Sequence, residues 1–505
     1  MSNAAGRRSV LLVAVAALLT GVMCAIVFVG PQRLGVEGCG AQRITDPVWD
    51  RVTYPLVVFG LVGGLVMAAW GRVARARQGE MALIVAILVG LGFLAQVTVG
   101  QQARAGYHES LFAIALPGSS SYHVEARKVA HLGEYLRDYR SEVLGGRFQV
   151  QLSTHPAGPV VLLWGLNQAF AGTDEFAERF IRKCEDWLAA GIRIEESPAA
   201  SALFERQRLT PAAVAGAWLA TIVLRLAACL AVVPVYLMAS RWYGRTGGLV
   251  AAAFAAAIPS LLLFSSIVDQ CFPVLAATAC CLSDSAGERR SGWRAFLAGL
   301  VVTAGLFMTL AFAVVAFWAG LLALARLCSE RPKGREVAKL LACAAAGLLV
   351  PVAALYAACG YNSFSVWWAC WQGNAEFNRL SDRTYWKWVL VNPAEFLGFL
   401  GVPVAVLFVW RALGEVGGLI RRRIAGRDWP TLAVAGLLVF LNGAGANLGE
   451  VERLWMFLMP ACAVAAAGQV EACAPYRRAV FVCVFAFQTV QVVLFRAGLK
   501  VLNIT

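Results

Sequence analysis

Apolar runs follow one another along nearly the whole chain, separated by short polar stretches. Most hold about 18 residues or more, enough for a helix to cross roughly 30 Å of hydrocarbon. None shows the strict alternation of a barrel strand. The pattern predicts an all-α, polytopic integral membrane protein with about thirteen transmembrane helices, at roughly 9–30, 54–71, 81–99, 211–240, 246–266, 269–283, 294–310, 311–327, 338–358, 393–412, 429–446, 454–469 and 479–497. The first run follows Arg7-Arg8 and lacks a small-residue cleavage site, so it reads as a retained span rather than a removed signal.

The basic residues orient these spans. Arg7/Arg8, Arg72/Arg75/Arg77, Arg241/Arg245, Arg289/Arg290/Arg294, Arg331/Lys333/Arg335, Arg421/Arg422/Arg423 and Arg477/Arg478 fall on one side. Cytoplasmic loops carry such an excess, so the N-terminus is expected inside and the protein in the cell membrane. Residues 158–172 are apolar but short, and a crossing there would put Arg241 and Arg245 outside. They are expected to lie along the outer leaflet as an interfacial helix. Two large outer loops follow from this, about 100–210 and about 359–392.

Composition agrees: 59% of the 505 residues are hydrophobic and 15% charged, with a mean hydropathy of +0.67. A soluble domain of this length has too little interior for that. A net charge of +14 invites a nucleic-acid partner. Its distribution in short clusters between apolar runs excludes one and points instead to membrane lipids. The 14 cysteines fall mostly inside apolar runs as small hydrophobes. Cys39, Cys184 and Cys370 fall outside them and allow one disulfide without requiring it.

Candidate chemistry concentrates on the outer side. All four histidines, His108, His123, His131 and His155, lie in the first outer loop. Either they are there because water is there, or they form a metal or phosphate site; the cofactor this allows is a divalent metal ion. Ser121 to Tyr139 reads as an amphipathic helix. Ser153-Thr154-His155-Pro156-Ala157-Gly158-Pro159 reads as a turn that holds His155 at the mouth of the interfacial helix.

That order of features resembles the C-type membrane glycosyltransferases, such as the protein mannosyltransferase and aminoarabinose transferase relatives. A Tyr-x-x-x-Ala helix after an outward-going span, then Thr-His-Pro-x-Gly and an interfacial helix, carries the likeness. It extends over about 81–505 and leaves residues 1–80 as two additional N-terminal spans. The resemblance implies transfer of a sugar from a polyprenyl-phosphate carrier to a sugar, lipid or protein acceptor outside the membrane. The chain departs from the family at one point. The usual aspartate at the end of the first conserved span is replaced by Ser119-Ser120-Ser121. Glu125, one turn later, is then the expected base, with Glu109 as the next choice. Asp269 matches a second acidic position and Arg225 an arginine near the donor phosphate.

Other residues are read without the family. Glu452 and Arg453, in the charged segment Gly449–Phe457, either bind substrate, with Arg453 on a lipid phosphate, or mark an interfacial anchor beside Trp455. Arg383 and Tyr385 stand among Trp367, Trp368, Trp371, Trp386 and Trp388, which suit either sugar binding or the membrane interface. Two rivals to an enzyme remain: a transporter or flippase for a lipid-linked sugar, and an inactive relative that only binds it. A transporter should carry charges deep in several spans.

Overall fold

The computed structural model describes residues 2–29, 42–43, 49, 51–73, 75–103, 106–116, 121–146, 148, 150–189, 191, 193–194, 196, 201, 205–330, 333–380, 383–421 and 429–500. It is helical. The first helices are α1 (Ser2–Val29), α2 (Thr53–Trp70), α3 (Gln78–Gln101) and α4 (His108–Ala115). The first large polar region forms short helices: α5 (Tyr122–Ala126), α6 (Leu132–Leu144), α7 (Val150–Ser153), α8 (Gly158–Gln168) and α9 (Asp174–Trp187). Then come α10 (Pro211–Leu230), α11 (Val232–Ala256), α12 (Pro259–Leu263), α13 (Cys271–Arg289), α14 (Gly292–Met308), α15 (Phe312–Glu330) and α16 (Gly334–Cys359). The chain ends with α17 (Ser363–Leu380), α18 (Tyr385–Leu400), α19 (Val402–Ile420), α20 (Trp429–Ala444), α21 (Val451–Leu454), α22 (Met459–Ala472) and α23 (Arg477–Gly498). Among the described residues the strand content is one antiparallel pairing, Gln42–Arg43 with Leu499–Lys500.

Seven helical segments are long and apolar enough to cross a membrane: Gly6–Val29, Thr53–Trp70, Gln78–Gln101, Pro211–Ala256, Gly334–Cys359, Val402–Ile420 and Arg477–Gly498. Four shorter apolar helices accompany them, Gly292–Met308, Phe312–Leu327, Trp429–Ala444 and Met456–Ala472. The 46-residue segment Pro211–Ala256 is kinked at Gly244, between the two expected runs. The run expected at 393–412 is instead broken at Gly401, whose φ of 96° ends α18 and starts α19. Large apolar side chains such as Leu83, Leu341, Phe440 and Val439 point outward and are exposed. The interior is closed by fully buried Trp218, Trp318, Phe254 and Phe312.

Arg245 donates to the Val73 and Ala76 carbonyls, Arg290 pairs with Glu336, and Arg241 and Arg326 both pair with the buried Asp284. Segment 158–172 contains only the 11-residue α8, packed on α5 and α10. The two N-terminal helices pack on α23, with α1 also on α19 and α2 also on α3. Cys184 and Cys370 are buried free thiols; Cys39 lies outside the described residues.

Candidate functional site

A cavity of about 400 Å³ opens where helix ends from four parts of the chain meet. Thr154 and His155 come from the turn before α8, and Thr309 and Leu310 from the link between α14 and α15. Trp371, Asn374 and Asn378 come from α17, Arg383 from the lead into α18, residues 446–450 from the loop after α20, and residues 453–455 from α21 and its end. Phe272, Val314, Leu441 and Phe457 give the cavity apolar lining.

Local sequence explains how each wall is fixed. Gly158 lets α8 start directly against the Phe307 backbone, where any Cβ would collide. The turn before it is held by Tyr139, whose hydroxyl donates to the His155 carbonyl at 2.8 Å. The His155 Nδ1 lies 3.0 Å from the Thr154 hydroxyl. The loop 445–450 has no helix or sheet to satisfy its backbone, so side chains do so. Asn392 donates to the Asn447 carbonyl at 3.0 Å and accepts from the Gly449 amide at 3.1 Å. Asn378 donates to the Ala446 carbonyl, and Glu395 accepts from the Val451 amide. Gly449 has φ of 88° and lies on the Trp388 ring, a place no side chain would fit.

A chain of alternating charges runs along this wall. Arg383 Nη2 lies 2.8 Å from Glu450 Oε1, and Arg453 Nη2 lies 2.9 Å from Glu450 Oε2. Arg453 Nη1 then reaches Asp269 Oδ2 at 3.2 Å, within ion-pair distance though not aligned as a hydrogen bond. Burial opposes charge on Glu450, yet the two guanidiniums hold its carboxyl below the usual range. Burial likewise opposes charge on Arg453, and Asp269 and Glu450 more than offset it, so the guanidinium stays charged. Tyr122 completes the group: its ring meets His155 edge to face at 5.8 Å. Burial raises its hydroxyl well above the usual range, and the Asp269 charge adds to that. Glu450 itself, and Ser121 next to Tyr122 in the chain, are two of the five described non-glycine residues with positive φ. Such backbone is uncommon outside glycine and gathers at functional sites.

Of the residues singled out in the sequence, His155, Arg383 and Arg453 line the cavity, and Asp269 touches it through Arg453. Tyr385 stands behind the wall, its hydroxyl donating to the Gly443 carbonyl at 2.6 Å. Glu452 is buried beside Glu395, and burial together with that neighbour pushes its carboxyl well above the usual range. Glu125 is outside the cavity lining and pairs with Lys128 at 2.9 Å. Arg225 is fully buried elsewhere, over the Tyr107 ring at 4.0 Å, with its Nη2 donating to the Ser110 and Ser265 hydroxyls. Glu109 pairs with Arg496 at 3.0 Å. Ser119 and Ser120 lie outside the described residues.

The four histidines do not gather. His108 packs on Trp218, His131 is exposed, and His123 is fully buried with Nε2 3.1 Å from Asn167 Oδ1. Among the described residues no three His, Cys, Asp or Glu side chains converge. Both carboxylates at the cavity already face arginines.

Burial pushes the His123 imidazole down to about 4, with Arg127 adding to the effect. Between about 6.5 and 4 the unfolded chain binds a proton there and the folded chain does not, so stability falls as pH drops. Acidification to pH 4 should cost about 3 kcal/mol through this group. The slope of unfolding midpoint against pH in that window should flatten in His123→Gln; an unchanged slope assigns the acid sensitivity elsewhere.

Sequence reasoning missed Asn392, Glu395 and Asn447. The first two stand in the expected span 393–412 or at its edge, and polar groups in an apolar helix were the available signal. No protein-family model matches the chain, and no curated protein matches it.

Proposed function

We propose that this is a membrane glycosyltransferase, with the cavity as its site for a polyprenyl-phosphate-linked sugar on the non-cytoplasmic side. The reading takes the chain to cross the cell membrane about thirteen times from a cytoplasmic N-terminus. The arrangement that carries it is the pairing of Arg383 and Arg453 in one cavity that also has apolar lining. Arginine forks match phosphate oxygens, and the apolar lining suits a prenyl chain. Trp371, Asn374 and Asn447 add the aromatic face and amide groups that a sugar uses.

In the proposed reaction the acceptor hydroxyl gives its proton to the Asp269 carboxylate as its oxygen attacks the anomeric carbon. The bond from that carbon to the phosphate oxygen breaks, and the electron pair leaves with the lipid phosphate. Arg383 and Arg453 stabilise the developing charge there. The outcome is inversion at the anomeric carbon.

A second reading is favoured by one observation: Glu450 and Asp269 are both already committed to arginines. That suits an inactive protein that only binds the lipid. A flippase is less well supported, because the charge chain sits at helix ends rather than along several spans. Purified protein given mixed polyprenyl-phosphate sugars and candidate acceptors should release lipid phosphate, read by mass spectrometry. Binding of the lipid with no release from any donor moves the assignment to the inactive reading.

A further inference from the structure

Glu450 occupies the place where the proposed function needs a phosphate. Its two carboxylate oxygens are divided between the two arginines that line the cavity, one to Arg383 at 2.8 Å and one to Arg453 at 2.9 Å. A phosphate between the same forks would use the same donors, so the carboxylate and the ligand compete. We infer that Glu450 is a placeholder for the phosphate group, and that it must swing out of the Arg383–Arg453 fork before a prenyl phosphate binds. This inference rests on the cavity being a lipid-phosphate site.

Charge supports it. With Glu450 and Asp269 in place, the two arginines are fully compensated, and an incoming anion gains little. With Glu450 withdrawn, the group carries one net positive charge and matches a phosphodiester. Exposure decides which carboxylate moves. The Asp269 side chain is 7% exposed and the Glu450 side chain 35%, so Glu450 reaches water at far lower cost. The backbone agrees: Glu450 holds φ at 59°, where a side chain other than glycine is disfavoured, at the junction between a loop and the four-residue α21. Arg383 keeps its second anchor in either state, since Nη1 donates to the Leu448 carbonyl at 2.6 Å. The fork therefore stays formed when the carboxylate leaves.

The placeholder also explains a role in selectivity. Ligands that bring no anion, such as a prenyl alcohol, have nothing with which to displace the carboxylate. An apolar chain alone would leave both arginines on Glu450.

The test is equilibrium binding to the full chain in detergent micelles with labelled farnesyl phosphate, farnesol and inorganic phosphate. A ligand that must first displace Glu450 binds with an apparent affinity reduced by the fraction of open sites. Glu450→Gln keeps the shape but weakens the hold on both arginines, so farnesyl phosphate should bind about tenfold tighter than to the native chain. Glu450→Asp, too short to bridge both forks, should also bind tighter, and it serves if the glutamine variant does not fold. Farnesol binding should be unchanged in both. Equal or weaker farnesyl phosphate binding in the variants makes Glu450 a plain strut and overturns the inference, while the donor-site reading stands. Tightening for inorganic phosphate to the same degree keeps the placeholder and sinks the lipid-donor reading alone. No binding of either phosphate by any form overturns both.

Discussion

Arg453→Met should destabilise the protein by about 3–5 kcal/mol, the usual cost of removing one partner from a buried ion pair. The replacement fills most of the arginine's volume, so the loss reports charge rather than a cavity. Asp269, 7% exposed in its side chain, would lose its arginine partner, and Glu450 would keep only Arg383 among the described residues. Thermal unfolding of native and variant chains in one detergent measures the loss. The double variant Arg453→Met with Asp269→Asn should recover a large part of it, because the stranded charge is gone. Arg383→Met should cost markedly less, since its carboxylate partner is already one-third exposed. Equal losses for the two arginines, or no recovery in the double variant, would show that packing rather than charge holds this wall.

How far the sequence foretells this arrangement depends on what each feature rests on. The helical class was legible, because an apolar run of 20 residues has few alternatives, although seven helical segments are long and apolar enough to cross where about thirteen were expected. The Gly244 kink fell between two expected runs for the same reason. The break at Gly401 was not legible. Residues 393–412 are apolar throughout except Glu395 and Arg411, and a left-handed glycine looks like any other in a hydropathy pattern. Arg453 stood out as a cation at a helix entrance, and Arg383 as a cation among tryptophans. Their shared partner did not, because Arg383 and Glu450 are 67 residues apart and nothing local links them. The histidines misled in the opposite way. They share a loop, yet its short helices send His108 and His123 into the interior and only His155 to the cavity. Arg225 fits the same lesson: a cation in an apolar run found hydroxyls and a tyrosine ring rather than the cavity.

The carboxylate that acts as base is the point on which sequence and geometry favour different residues. Sugar transfer needs a base within hydrogen-bond reach of the acceptor hydroxyl. Serine at 121 cannot serve unaided, since its hydroxyl stays protonated near neutral pH. Chain position favours Glu125, one turn further on. Geometry favours Asp269, because it touches the arginine that lines the cavity while Glu125 pairs with Lys128. Displacement of Glu450 would draw Arg453 toward the phosphate and loosen its hold on Asp269, leaving that carboxylate able to accept a proton as the lipid phosphate departs. Asp269→Asn should therefore lower transfer by about 100-fold or more. The fall should be in kcat with KM for the donor nearly constant, as expected for a contact made in the transition state alone. Glu125→Gln should transfer at a near-normal rate. The reverse result, with Glu125 essential and Asp269 dispensable, returns the base role to the residue that chain position selects. Near-normal rates in both variants remove carboxylate catalysis from this site. No transfer by the native chain, in a protein that still binds farnesyl phosphate, leaves a lipid-binding relative in which the serines replaced the base.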